Sequence, residues 1–172
     1  MEVLTVSAPG RTESVYLVFV CSGNICRSPM AEIIVRDAVE DAGLSDDVLL
    51  ASCGIGAWHV GQPADSRARD ELVEHGYDAK HVAAQLGADH VDATMYIAMD
   101  NGHVSQLIAR GIPAEKIRLM RSYDPESPDG AEVADPYYGD VSGFSRTRRE
   151  IEAATPGLIR SVREALADMS TR

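Results

Sequence analysis

A cysteine and an arginine are separated by five residues in the segment VFVCSGNICRSPMAE, residues 18–32. Between Cys21 and Arg27, Gly23 permits tight backbone curvature, and Asn24 tolerates left-handed geometry while its side chain can bond nearby backbone. Arginine carries a planar, permanently charged fork that can bind two phosphate oxygens. These residue types and their spacing predict a turn that binds an oxyanion, with Cys21 placed to attack it.

The sequence on either side predicts the elements that would position this turn. Residues 14–20, SVYLVFV, are apolar and rich in β-branched and aromatic side chains, which is typical of a buried strand. From Ser28 onward the sequence predicts a helix, with Pro29 suited to its first turn. The turn then runs into a helix N-terminus, where backbone N–H groups and the helix dipole attract anions. The same field would stabilise a Cys21 thiolate, the nucleophilic form of the side chain.

Strand-like and helix-like segments continue to alternate along the chain. Further strands are predicted at residues 48–52, 95–99 and 116–120, and further helices at 65–75, from 100 or 101 to 110, and at 144–169. Pro156 predicts a kink or a break in the last helix. Such alternation is typical of a parallel sheet. We therefore expect one α/β domain with a four-stranded parallel sheet, helices on both faces, and the phosphate-binding loop between the first strand and the first helix.

Composition narrows the classes of function. The 172 residues fit one domain, which we place at residues 15–172 after a flexible leader at 1–14. The leader lacks the basic start and apolar stretch of a secretory signal. A net charge of −11 argues against nucleic-acid binding and against docking on anionic membranes. No apolar run approaches the ~20 residues that span a bilayer.

The three cysteines, Cys21, Cys26 and Cys53, are too few and odd in number for a disulfide framework. A reducing, cytoplasmic setting is therefore expected, although export without a signal is compatible with it. The spacing of Cys21 and Cys26 does not match a zinc pair, and no second pair completes a site. We expect no metal and no cofactor, and a monomer is the default expectation.

The segment VFVCSGNICRSPMAE resembles the signature of the low-molecular-weight protein tyrosine phosphatases. The similarity continues through GAWHVGQPADSRA, EHGYD, IAMD and ADPYYGD, in the order and spacing of the family. It extends over nearly the whole chain from Val15 onward and is strongest to the bacterial branch, notably its actinobacterial members.

The resemblance implies a role for each matching residue. Cys21 would form a phosphocysteine intermediate, Arg27 would bind the phosphoryl oxygens, and Ser28 would donate a hydrogen bond to the Cys21 thiolate. Asp135, which opens DPYY, would protonate the tyrosine leaving group and later activate water. From the residues alone, Asp135 could not be chosen over the other acids of the same loop. Phosphotyrosine proteins would be the substrates, and phosphate and related oxyanions would bind.

Other matching positions imply supporting roles. The phosphate-binding loop would comprise Ser22, Gly23, Asn24, Ile25 and Cys26, and the aromatic walls of the crevice would be Trp58, Tyr137 and Tyr138. Flat walls suit an aromatic ring, although Trp58 could equally be a core residue. Asn24 and His75 would form a network that holds the loop, although His75 also reads as a helix-end residue. Cys26 would form a reversible disulfide with Cys21 on oxidation.

Three alternatives remain open. Arsenate reduction uses a similar loop but needs further cysteines to relay a disulfide, and residues 54–172 contain none. Phosphoarginine hydrolysis belongs to a related branch that tends to carry threonine in place of Ile25 and lacks the paired tyrosines. A non-catalytic phosphate-binding or redox-sensing module would be expected to lack Cys21, Arg27 or Asp135, and all three are present.

Overall fold

Four strands and four α-helices alternate along residues 14–171, the part of the chain that the computed structural model describes. They are β1 Val15–Cys21, α1 Arg27–Asp41, β2 Val48–Gly54, α2 Ser66–Glu74, β3 Met95–Ala98, α3 Asn101–Ala109, β4 Ile117–Leu119 and α4 Ser142–Ser170. The strands form one parallel sheet in the order β2-β1-β3-β4. The predicted fold class is confirmed, whereas the predicted leader lies outside the described residues apart from Ser14.

Side chains of β1 alternate between two hydrophobic clusters, as the pleat of a strand requires. Phe19 and Cys21 face a cluster that includes buried side chains of α1, α2 and α4. Val18 and Val20 face the opposite cluster, to which α3 contributes Leu107. The central strand is therefore covered by helices on both faces, as the alternation of elements predicted.

The first turn of α1 leaves its backbone donors available. β1 ends at Cys21, and α1 begins at Arg27, one residue earlier than predicted. Cys26 occupies the N-cap position but makes no capping hydrogen bond with its side chain. Because the first N–H groups of a helix have no partner within the helix, an anion can bind them here.

The last helix is longer than expected and unbroken. α4 runs over 29 residues with Pro156 inside it, so the predicted break is wrong. The proline lies on the exposed face, while Ile151 and Leu158 on either side of it are buried in the core. Packing of this apolar face holds the helix together across the missing hydrogen bond. Within residues 14–171, no helix has a stretch long and apolar enough to cross a membrane.

Candidate active site

A crevice of about 590 Å³ opens at the carboxyl end of the sheet, beside the turn that joins β1 to α1. It is lined by Cys21, Ser22, Gly23, Ile25, Cys26, Arg27, Trp58, His59, Asp135, Tyr137 and Tyr138. Parallel α/β sheets generally bind ligands at this end. The fold thus brings the predicted nucleophile, arginine, general acid and aromatic walls to one place from three separate segments.

Cys21 is buried at the end of β1 and contacts a hydroxyl group. Its Sγ lies 2.9 Å from Oγ of Ser28, which is fully buried in the first turn of α1. Asn24 Nδ2 donates to that same Oγ at 2.7 Å. Because Oγ accepts this bond, its own hydrogen can donate to the sulfur or to the backbone oxygen of Cys53, which is more distant at 3.4 Å. The arrangement places a hydroxyl donor beside the sulfur of Cys21.

Asn24 holds the turn in its unusual shape. It is the only non-glycine residue among those described with a positive φ, 61°, and it is completely buried. Besides Ser28, its Nδ2 donates to Ser52 Oγ at 3.0 Å, and its Oδ1 accepts the backbone N–H of Ala84 at 2.8 Å. A left-handed asparagine is less costly than most residues there, and these bonds connect the loop to β2 and to the segment after α2.

The histidine that supports the loop is His81 and not His75. His75 is exposed at the C-terminal end of α2, where its Nδ1 contacts the backbone oxygen of Glu71 at 2.9 Å. The chain turns at Gly76, with φ of 88°, and then passes beside the loop, where Nε2 of His81 lies 2.7 Å from the backbone oxygen of Asn24. The prediction for His75 is therefore wrong. Burial lowers the pKa of His81, so the neutral ring donates from Nε2.

Arg27 is buried and oriented by fixed acceptors. Its Nη1 donates to Asp100 Oδ2 and to the backbone oxygen of Val133, both at 2.9 Å. Its Nη2 lies 3.5 Å from Ser22 Oγ and 3.7 Å from Asp135 Oδ2. Burial alone would raise the pKa of Asp100, but hydrogen bonds from Arg27 and from the backbone N–H of His103 lower it. Asp100 therefore holds the guanidinium as a charged acceptor.

Asp135 lies on the loop between β4 and α4, at the mouth of the crevice. Its carboxylate is 37% exposed and its Oδ1 accepts the backbone N–H of Tyr137 at 3.1 Å. Tyr137 and Tyr138 pack edge to face, with ring centroids 4.9 Å apart. Trp58 is 71% exposed, so the core-packing alternative for it is wrong. The aromatic side chains stand at the rim with the acid between rim and loop.

His59 lines the crevice and was not predicted as a site residue, and Arg67 contacts one of the aromatic walls. His59 lies so close to Gly23 that an added Cβ there would meet its ring at 2.9 Å. Arg67 lies over the ring of Tyr137 at 5.4 Å and is paired with Asp65 at 2.9 Å. Both residues lie in the matching segment GAWHVGQPADSRA, which was the signal available, but only the tertiary fold shows that Arg67 reaches the ring of Tyr137.

The other two cysteines lie on opposite sides of β1. Cys26 lines the crevice and belongs to the hydrophobic cluster that contains Cys21. Cys53 pairs with Val20 in the sheet register and packs into the other cluster. Burial raises the pKa of the Cys26 thiol well above its usual range, and it raises that of Cys53 to about 12. Cys26 is therefore the cysteine placed to meet Cys21, and its redox role stays a prediction.

A buried cysteine at the head of a turn that runs into a helix N-terminus, with an arginine at the end of that turn, is typical of the class of cysteine-dependent phosphatases. The family model described as low molecular weight phosphotyrosine protein phosphatase matches residues 16–168, so the chain belongs to that family. The low molecular weight protein-tyrosine phosphatase A of Mycobacterium tuberculosis is 45% identical over 157 residues, covering 91% of this chain and 96% of the relative.

A second relative and a solved structure agree with this assignment. The low molecular weight protein-tyrosine-phosphatase of Streptomyces coelicolor is 46% identical over 152 residues, covering 85% of this chain and 92% of the relative. The crystal structure of a protein tyrosine phosphatase from Entamoeba histolytica superimposes with a TM-score of 0.83 at 33% identity, covering 88% of this chain and 98% of the other. The resemblance seen in the sequence is confirmed.

Proposed function

We propose that this phosphatase hydrolyses phosphotyrosine in proteins through a phosphocysteine at Cys21. One observation carries the proposal. The Cys21 sulfur lies 2.9 Å from Oγ of Ser28, in a crevice where Arg27 and Asp135 lie 3.7 Å apart. Nucleophile, charge-stabilising cation and proton donor thus surround the volume that a phosphoryl group would occupy.

In the first step the Cys21 thiolate attacks phosphorus and the bond from phosphorus to the tyrosine oxygen breaks. The fork of Arg27 and the backbone N–H groups of the loop stabilise the phosphoryl charge as it develops. The carboxyl of Asp135 donates its proton to the departing oxygen, so the product leaves as neutral tyrosine. A hydrogen bond from Ser28 stabilises negative charge on the sulfur, which supports the attacking thiolate in this step and the departing thiolate in the next.

In the second step water replaces sulfur on phosphorus. The carboxylate of Asp135 takes a proton from the attacking water, the sulfur–phosphorus bond breaks, and inorganic phosphate is released. Cys21 returns to the thiolate that Ser28 supports. One aspartate serves as acid and then as base, so the cycle returns both groups to their starting states with water as the only reactant besides the substrate.

The shape of the crevice favours phosphotyrosine over the alternative substrates. The exposed aromatic rim of Trp58, Tyr137 and Tyr138 suits an aromatic ring attached to phosphate. Ile25 and the tyrosine pair argue against phosphoarginine. Cys53 lies on the face of the sheet away from Cys21, which argues against the disulfide relay of arsenate reduction. We also propose a cytoplasmic monomer, in keeping with three free cysteines.

The general acid is tested by Asp135→Asn with Asp140→Asn as the matched control. Both residues are exposed acids of one loop, but Asp140 bonds Ser142 at the start of α4 and does not line the crevice. Asp135→Asn should lower kcat on a phosphotyrosine peptide by at least about 100-fold. Phosphate affinity, measured by calorimetry, should change little because the amide does not remove a phosphate contact.

The leaving group sharpens this test. Para-nitrophenolate leaves easily without a proton, so Asp135→Asn should lose less activity on para-nitrophenyl phosphate than on the phosphotyrosine peptide. An equal loss on both substrates, or an equal loss of turnover and phosphate binding, would remove Asp135 from the acid role. Asp140→Asn should retain wild-type values on both.

A further inference from the structure

The hydroxyl of Ser22 is held by a buried histidine that the steps above do not use. Ser22 lines the crevice, and its Oγ lies 3.0 Å from Nε2 of His103. His103 belongs to the first turn of α3, and its side chain is only 5% exposed. A buried ring aimed at the second residue of the phosphate-binding loop calls for a physical explanation.

The bonds around His103 fix which ring nitrogen carries the proton. Nδ1 lies 3.2 Å from the backbone N–H of Asp100 and accepts it, while Asp100 Oδ1 accepts the backbone N–H of His103 at 3.0 Å. Oδ1 also lies 3.2 Å from Nδ1, but a proton there would deprive the Asp100 N–H of its acceptor. The neutral ring therefore carries its proton on Nε2, which faces Ser22.

The charges around the ring keep it neutral. Burial lowers the pKa of His103 to about 4, against the opposing influence of Asp100, Asp135 and Glu132, while the positive charge of Arg27 lowers it further. At neutral and mildly acidic pH, His103 is therefore a neutral donor to Ser22. Arg27 Nη2 makes a second, longer contact with the same Oγ at 3.5 Å.

A serine oxygen that accepts from two donors still has its own hydrogen to give. We propose that the Ser22 hydroxyl is a further donor to the phosphoryl group, and that His103 is the positioning residue that orients it. This inference rests on the proposed phosphatase function and names one more side chain that binds the phosphate. His103 acts only through Ser22 and does not touch the substrate.

Four variants separate binding from folding. Ser22→Ala removes the hydroxyl and Ser22→Thr keeps it. His103→Asn retains an acceptor near the Asp100 N–H but is too short to reach Ser22, whereas His103→Gln can place an amide donor there. The matched control is His90→Asn, because His90 is also buried and its Nδ1 lies 3.0 Å from the backbone N–H of Gly87 at the start of a short helix.

The readouts are the Kd of inorganic phosphate by calorimetry, and kcat and KM for para-nitrophenyl phosphate. Ser22→Ala and His103→Asn should each weaken phosphate binding by about tenfold, the loss expected for one hydrogen bond to a charged group. The double variant should bind no more weakly than Ser22→Ala alone, because both changes remove the same interaction. Ser22→Thr and His103→Gln should recover most of the affinity, and His90→Asn should match wild type.

Unchanged phosphate affinity in Ser22→Ala, beside a wild type that binds phosphate and turns over, overturns this inference and leaves the proposed function standing. Losses that multiply in the double variant overturn the positioning role of His103. An equal loss in His90→Asn does the same, since it would show a general effect of removing a buried histidine. A wild type that neither binds phosphate nor hydrolyses the ester overturns the proposed function as well.

Discussion

Asn24, Ser28 and Cys21 form a short chain of hydrogen bonds that ends on the sulfur atom. Nδ2 of Asn24 donates to Ser28 Oγ at 2.7 Å, and Oγ lies 2.9 Å from the sulfur. The nucleophile is therefore supported by an amide whose Nδ2 also donates to Ser52 Oγ and whose Oδ1 accepts the backbone N–H of Ala84. The reactivity of Cys21 therefore depends on a few buried side chains whose polar atoms all have hydrogen-bond partners.

The three cysteines should play different parts when the protein is oxidised. Peroxide would convert Cys21 to a sulfenic acid, which condenses with the Cys26 thiol to give a disulfide and water. We predict that a thiol reductant restores activity to the oxidised wild type and to Cys53→Ala, because Cys53 lies on the other face of the sheet. Cys26→Ala should be inactivated irreversibly. Recovery in Cys26→Ala equal to wild type would contradict the pairing.

Residue types in one local segment were enough to predict Cys21, Arg27 and the loop, because strand, turn and helix follow one another in the chain. Asp135 needed the family resemblance, since its loop holds several acids. His81 and the contact of Ser22 with His103 could not be predicted. Their partners are 57 and 81 residues apart in sequence, and only tertiary packing brings them together.

In α4, tertiary packing overrides the helix-breaking signal of a proline. Proline normally interrupts a helix, yet α4 continues through Pro156 because its apolar face is buried on both sides. The next residue, Gly157, lies against the backbone of Tyr123, and an added Cβ would come 2.1 Å from the Tyr123 carbonyl oxygen. This glycine is thus required for helix packing and not for a turn.

Gly157→Ala should destabilise the protein although alanine favours helices. Helix propensity alone would stabilise by about 1 kcal/mol, whereas overpacking against the Tyr123 carbonyl should cost about 3 kcal/mol, which leaves a net loss of about 2 kcal/mol. Urea unfolding measures the difference. Ala153→Gly, at an exposed position of the same helix, is the control for propensity and should lose about 1 kcal/mol. A more stable Gly157→Ala would show that the helix packs differently.

Across the whole molecule, buried histidines should make the folded state less stable in acid. Burial lowers the pKa of His81, His90 and His103, the last to about 4 from an ordinary 6.5. Between pH 6.5 and about pH 4, the unfolded chain therefore binds protons that the native state does not bind. The free energy of unfolding falls as the pH drops through this range.

Buried carboxylates extend the same trend to lower pH. Burial alone would raise the pKa of Glu71, but hydrogen bonds from Arg148 and Ser145 lower it. A hydrogen bond from Arg67 is the main cause that lowers the pKa of Asp65. A lowered carboxyl pKa contributes stability that is present above the unfolded value and is lost as the pH falls through the folded one.

We predict that the urea midpoint falls between about pH 7 and pH 4.5, and that His103→Asn reduces the fall because it removes one buried group that resists protonation. Gln106→Asn, at an exposed position of the same helix, is the control, since it removes no titratable group and should leave the slope unchanged. A midpoint that is constant across this range, or a slope in His103→Asn equal to wild type, would contradict the role of buried histidine.

The central claim is tested most directly by hydrolysis of a phosphotyrosine peptide in the presence of chelator, for wild type and Cys21→Ser. Wild type should release phosphate without added metal, and Cys21→Ser should show no activity above background while still folding and binding phosphate. Activity that survives the loss of Cys21, or a folded and reduced wild type that releases no phosphate, would contradict a phosphatase that works through this cysteine.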